Sequence, residues 1–172
     1  MSETLYLEYK DCIKKANSIN SLLLFRGRAD IREKVNYTIS IPTFRRPYLL
    51  KEAIESALNQ NYSGIFNIVV VDNNPERNDE TEQLMNQYRN HPQIWYYKNE
   101  NNVGMAGNWN KCLILSDSDN VIMLHDDDVL SPYSLFVFSS IIPHLRRDWS
   151  MIKPNLTKFH EISNLSFKKP HK

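Results

Sequence analysis

Hydrophobic and polar positions along the middle of this chain switch repeatedly between a period near two residues and one near 3.6. Tyr37 to Pro42 alternates, is rich in β-branched residues, and reads as a strand stopped by its proline. Leu50, Ala53, Ile54, Ala57 and Leu58 then form an apolar stripe at i, i+3, i+4, i+7 and i+8, which predicts a helix over 47–60 closed by the turn residues Asn61 to Gly64. Phe66 to Val71 has the apolar character of a buried strand and ends at Asp72. A weaker helix is predicted from Asp79 to Asn90, with Leu84, Met85 and Tyr88 inward and Pro92 breaking it. Ile94 to Lys98 reads as the next strand, followed by a polar loop, Glu100 to Gly107, and a helix from about Ala106 to Leu115. Val121 to Leu124 predicts a strand covered on both faces, and Pro132 to Ile142 a buried helix ended by Pro143. Upstream, Leu5, Tyr9, Cys12, Ile13 and Ala16 lie at helical spacing and predict that residues 1–35 are a helical extension whose role is packing.

Alternation of strand and helix predicts an α/β fold, a mostly parallel sheet built by right-handed crossovers with helices on both faces. Each polar cluster then follows the carboxyl end of a strand: Thr43 with Arg46, Asp72, Asn101 to Gly104, and Asp126 to Asp128. Open α/β sheets bind their ligands at that edge. The three consecutive carboxylates Asp126, Asp127 and Asp128 carry the strongest chemical signal. Two like charges about 4 Å apart repel by roughly 1 kcal/mol in bulk water and about 4 kcal/mol at an effective dielectric of 20. A hard divalent cation, Mg2+ or Mn2+, offsets that repulsion and keeps coordination positions for phosphates. Helix capping is a poor account of the triplet, because Ser131 and Pro132 already supply a cap residue and a first-turn proline. A calcium loop beginning at Asp117 fails too, since it puts Ile122 where glycine is required. From these residues alone, a metal-binding cluster and a solvated loop both stand open.

Composition narrows the alternatives. With 172 residues, 41% hydrophobic and 24% charged, the chain has the make-up of one ordinary globular domain. A net charge of +1 and the lack of a basic stripe or RNA-binding signature argue against nucleic acid as a partner. Cys12 and Cys112 are isolated, which suggests neither a zinc site nor a disulfide framework. The longest early apolar run, Leu22 to Phe25, is too short for a signal peptide or membrane span, so a cytoplasmic protein is expected. Neither Gly-x-Gly-x-x-Gly nor a P-loop occurs, which leaves a nucleotide held by carboxylates and a metal.

At this point the residues resemble glycosyltransferase family 2, the inverting nucleotide-sugar transferases of GT-A fold. The likeness runs from Tyr37 to about Pro143. Ser40-Ile-Pro-Thr-Phe-Arg-Arg46 and Ala53 to Gln60 resemble the family's opening strand and first helix. Val69 to Asn74 resembles its second strand, with Asn73, Asn74 and Pro75 departing from the usual Asp-Gly-Ser continuation. Asn102 to Gly104 and Asn108 to Asn110 resemble the loop and helix that approach the diphosphate. Leu124 to Pro132 is similar to the Asp-x-Asp metal motif, with His125 at the place often held by its first acid.

The resemblance implies that Thr43 and Asp72 contact the nucleoside, Asp126 the ribose side, and Asn102 and Gly104 the diphosphate loop. It implies that Asp127 ligates Mn2+ or Mg2+, with Asp128 beside it. The partners would be a nucleoside-diphosphate sugar, with a UDP-sugar favoured, and a saccharide or lipid-linked acceptor. Residues 36–143 would form the nucleotide-sugar-binding domain, and 144–172 a basic segment that is either a tail or the start of an acceptor half. The family's general base lies downstream of the metal motif, where Asp148 and Glu161 are the acids present in a stretch that is otherwise basic. That basic end also allows peripheral contact with a membrane carrying the acceptor. Two other readings stand beside the enzyme: a nucleotide-sugar-binding module without a base, and a sugar-phosphate nucleotidyltransferase, the latter disfavoured by the absent glycine-rich loop.

Overall fold

The computed structural model describes residues 16–27 and 34–145. Its centre is a five-stranded sheet in the order β1-β4-β3-β2-β5. The strands are β1 (Ser21–Arg26), β2 (Tyr37–Thr43), β3 (Phe66–Asp72), β4 (Ile94–Asn99) and β5 (Val121–Met123). β2, β3, β4 and β5 run parallel, while β1 pairs antiparallel with β4, its register shifting between Leu23 and Phe25. Four helices connect or follow them: α1 (Pro47–Leu58), α2 (Glu80–Asn86), α3 (Gly104–Ile114) and α4 (Ser134–Ile141), the last running into a 3-10 turn at Ile142–His144.

Alternate residues of the central strands point to opposite faces, and the two faces recruit different helices. Ile39, Ile41, Ile68, Val70, Ile94 and Tyr96 pack in one core with Leu50, Ala53, Ile54 and Ala57 of α1 and Leu84 and Met85 of α2. Val69, Val71 and Trp95 face the other way, onto Cys112 of α3. The chain steps from β2 to β3 to β4 in one direction and then returns past β2 to β5. With crossovers of one hand, that reversal carries α3 to the opposite face from α1 and α2.

The mixed sheet with helices on both faces agrees with the sequence reading, and α1 begins with Pro47 at its first turn. Four elements differ in detail. The expected helical extension over 1–35 holds only for the turn at residues 16–18 among those described. Ser21 to Arg26 is instead an edge strand, because Leu22 to Phe25 is short enough to extend along Tyr96 to Lys98. Leu5, Tyr9, Cys12 and Ile13 lie outside the described residues, as does the basic segment beyond Leu145. β5 is half-buried rather than covered on both faces, since among the described residues it pairs only with β2. α2 ends at Asn86, where backbone bonds from Gln87 to Leu84 and Tyr88 to Met85 tighten its exit. α4 starts two residues after Pro132, because the Pro132 carbonyl is taken by the Asn61 amide and Ser134 closes a turn onto Ser131.

Ile68 lies on the middle strand with no exposed surface. Ile68→Ala is expected to cost about 2–5 kcal/mol in urea unfolding, through lost transfer energy and the cavity left behind. Tyr48→Ala, at a position 86% exposed, is expected to stay within about 0.5 kcal/mol of the parent. Equal effects of the two changes would contradict the core assigned here.

Candidate functional site

Strand register brings the polar groups to one rim. Thr43 ends β2 level with Asp72 at the end of β3, and Asp72 is level with Lys98 on β4. On the other side of β2, Ser40 is level with Met123, and the Leu124 amide continues the pairing onto the Ser40 carbonyl. Three residues beyond each partner stand Thr43 and Asp126. The Thr43 hydroxyl donates to Asp126 Oδ2 at 2.9 Å, and the Thr43 carbonyl accepts from the Asn73 amide at 2.9 Å. Thr43 thereby ties the loops that follow β3 and β5, on either side of the strand where chain direction reverses.

Arg46 completes this corner from the residue preceding α1, after Arg45 has turned the chain with a φ of 57°. Its Nη1 lies 3.2 Å from Asp126 Oδ1 and 3.3 Å from Asp127 Oδ2. Burial pushes the Asp126 carboxyl above its ordinary range, against the pull of the Thr43 hydroxyl and the Arg46 charge. Asp127 is more than half exposed and Asp128 is half-buried, its amide closing a turn onto the His125 carbonyl. His125 rests edge-on against Trp109 of α3, with ring centres 4.9 Å apart.

A second network lies beneath. Asp72 is fully buried; its Oδ2 accepts from Lys98 Nζ at 2.7 Å and from the Tyr96 hydroxyl at 2.9 Å, and its Oδ1 from the Asn74 amide. Burial raises the Asp72 carboxyl pKa while Lys98 and these hydrogen bonds restrain it, and burial, with Asp72 beside it, raises the Tyr96 hydroxyl. Lys98 also reaches Asp79 at 3.0 Å, and Asp79 caps α2 by accepting from the Glu82 amide.

Four asparagines hold the loop before α3. Asn73 donates to Asn102 Oδ1 and to the Gly104 carbonyl, and accepts from Asn99 and from the Val103 amide. Asn99 donates in turn to Asn108, whose amide group is anchored on the Val71 carbonyl. Gly104 has a φ of 73°, a conformation in which a side chain would be strained, and its amide donates to Asn102.

Of the residues singled out in the sequence, Thr43, Asp126 and Asp127 meet directly or through Arg46, and Asn102 meets Gly104. Asp72 is withdrawn below the rim, and Asp128 stands in the adjoining turn. The sequence reading missed Lys98 and Asn99 as organising groups and named Asn108 only within the Asn108 to Asn110 likeness. A lysine and an asparagine closing an otherwise aromatic strand, Ile94 to Asn99, are the signal that marks the first two.

This rim lies at the strand reversal of a mostly parallel sheet of GT-A-like form, with carboxylates on one side and a glycine-entered helix on the other, the edge where open α/β sheets bind ligands. The model of glycosyl transferase family 2 matches residues 38–150, and the chain belongs to that family. It is 31% identical over 101 residues to WcaA, a glycosyl transferase of Escherichia coli K12 named for colanic acid biosynthesis, a match covering 59% of this chain and 36% of the relative. It is 35% identical over 94 residues to the GalNAc(5)-diNAcBac-PP-undecaprenol beta-1,3-glucosyltransferase of Campylobacter jejuni, covering 54% and 30%. The fold matches S. aureus TarS residues 1–349 with a TM-score of 0.57 at 24% identity, over 64% of this chain and 33% of that one. The chain thus spans about a third of the length of the curated relatives it matches.

Two predictions follow from the lower network. Lys98→Met leaves Asp72 buried without its countercharge and is expected to destabilise by about 3–5 kcal/mol in urea unfolding. Adding Asp72→Asn is expected to recover part of that loss, and no recovery would show that the two groups do not act as a pair. Arg77, paired with Glu82 through two hydrogen bonds, holds that carboxyl down to about 2 from an ordinary 4.5. A depressed acid stabilises the fold above its unfolded pKa and loses that contribution as pH falls through the folded one. Arg77→Met is therefore expected to lower stability at pH 6, with the difference from the parent shrinking between pH 4.5 and pH 2. Denaturant midpoints across that range check it, and a difference that does not change with pH refutes the assignment.

Proposed function

We propose that this chain forms the donor-binding part of a metal-dependent inverting glycosyltransferase. The donor is a nucleoside-diphosphate sugar, a UDP-sugar first among them, and the acceptor a saccharide or lipid-linked saccharide. The observation that carries this reading is the Thr43–Asp126–Arg46–Asp127 constellation at the strand reversal of a family 2 chain. A structure of TarS in complex with UDP-GlcNAc shares the fold, as does a mannosyltransferase from Pyrobaculum calidifontis in complex with GDP-Man and Mn2+, at a TM-score of 0.51.

The residues fit a divalent ion of the substrate-bridging kind. Among the described residues no group of three His, Cys, Asp or Glu could hold a metal ion by itself. Mg2+ and Mn2+ sites of nucleotide enzymes are instead built from one or two carboxylates plus the substrate's phosphates, and Asp127 presents such a carboxylate at the rim. Asp127 would ligate the ion, with Asp128 adjacent. Bound there, Mn2+ or Mg2+ supplies Lewis-acid stabilisation of the charge that develops on the departing diphosphate.

The chain's own residues position the donor. Thr43 and Asp126 line the nucleoside and ribose side, where the Thr43 hydrogen bond holds one carboxylate oxygen of Asp126 in place. Asn102 and Gly104 shape the approach to the amino end of α3, whose first amides favour a negative group. Asp72 would stand beneath Thr43 and Asp126 on the nucleoside side, its Oδ1 accepting from the Asn74 amide and its Oδ2 from Lys98. Among the described residues no helix is long and apolar enough to cross a membrane. A lipid-linked acceptor would bring a cytoplasmic enzyme of this kind to the membrane surface as a peripheral visitor.

Calorimetry with UDP in the presence and absence of Mn2+ tests the reading. Metal-dependent binding is expected, and Asp127→Ala is expected to weaken it by about tenfold or more, the scale of one lost charged contact. Unchanged metal-dependent binding in Asp127→Ala would falsify the proposed ligand.

A further inference from the structure

The donor-binding reading gives Arg46 no contact of its own with donor or metal, yet Arg46 occupies the centre of the carboxylate corner. A single nitrogen, Nη1, makes both of its contacts, to Asp126 and Asp127. Among the described residues, Nε and Nη2 of Arg46 have no hydrogen-bond partner, and neither has Oδ1 of Asp127. The side chain is about half exposed, so it can leave its position without opening the core. Asp126 cannot follow it, being buried and held by Thr43 through its other oxygen.

We infer that Arg46 is a resident cation that holds Asp126 and Asp127 together before the donor arrives, and a diphosphate ligand once a divalent ion takes Asp127. The inference rests on the donor-binding reading above. Charge bookkeeping supports it. With two carboxylates and one guanidinium the corner carries one net negative charge. A divalent ion arriving alone meets Arg46 at the same carboxylate and is repelled by it. A divalent ion arriving with a diphosphate brings negative oxygens that the guanidinium can bind instead, through the fork of N–H groups it has not used. Arg46 thus opposes the metal by itself and favours the metal with its nucleotide. In linkage terms it sets a coupling between the two ligands, and that coupling is reciprocal.

The test compares the parent, Arg46→Ala and Arg46→Lys. Mn2+ alone is titrated by electron paramagnetic resonance, and UDP, with GDP run beside it, is titrated by calorimetry at saturating Mn2+. Arg46→Ala is expected to bind Mn2+ alone about threefold or more tighter, since one repelling charge is gone, and nucleotide with Mn2+ about tenfold weaker, since a charged contact is lost. Arg46→Lys, which keeps the charge but not the fork, is expected to bind Mn2+ alone like the parent and nucleotide less tightly than it. Thermal unfolding of each variant separates these effects from loss of fold. A merely structural Arg46 would lower both affinities together, and any Arg46→Ala result in which the two do not move in opposite directions overturns the inference. If the parent binds nucleotide with Mn2+ while Arg46→Ala is indistinguishable from it, the donor-binding reading stands and the role of Arg46 falls. If the parent binds neither ligand, both fall.

Discussion

The functional rim depends on β2 being the strand at which the order of the sheet reverses. β3 lies on one side of it and β5 on the other, so the chain leaving β2 passes between the loops that follow those two strands. The loop after β3 and the loop after β5 form the two walls of that rim, and whatever stands at the end of β2 borders both. Thr43 is that residue. Its carbonyl holds the Asn73 amide on one wall, and its hydroxyl holds Asp126 on the other. One small polar side chain at one register position thereby sets the distance between two loops far apart in sequence.

Acidic groups along this rim are graded by depth, and their environments differ accordingly. Asp72 is fully buried and matched by Lys98 and Tyr96, an arrangement that uses its charge to fix geometry. Removing a buried charge from water is costly, and a good internal partner offsets that cost without adding much net stability. Asp126 lies at the boundary, one oxygen held by a neutral hydroxyl and the other by a half-exposed guanidinium. Asp127 is more than half exposed, with the half-exposed Arg46 as its partner. The deep acid is held by Lys98, Tyr96 and Asn74, the middle acid through both oxygens, and the shallow acid by Arg46 alone among the described residues.

Asparagine takes over the same task in the loop before α3. Asn73, Asn99, Asn102 and Asn108 pair with one another and with the backbone, meeting the requirement that buried polar groups be satisfied with no charged group in the network. An uncharged, hydrogen-bonded support thus lies beneath a glycine-entered helix. Membership of glycosyl transferase family 2 places this architecture among enzymes of sugar transfer, and the chain spans about a third of the length of the curated relatives it matches.

Periodicity in the sequence by itself determined the layered α/β class, the stripe of α1, the buried run of β3 and the placing of polar clusters after strands. These are local properties, set by which side chains can share one face of a helix or alternate across a strand. Residue chemistry pointed to Asp126 to Asp128, and the likeness in spacing pointed to the family. Only the tertiary structure decided that Ser21 to Arg26 extends along β4, that β5 is a short strand at the rim of the described sheet, and that Asp72 sits below the surface against Lys98. Only the fold, too, brought Arg46 onto a pair of carboxylates 80 and 81 residues away. Burial depth and long-range pairing arise from strand order and register, which no local period encodes.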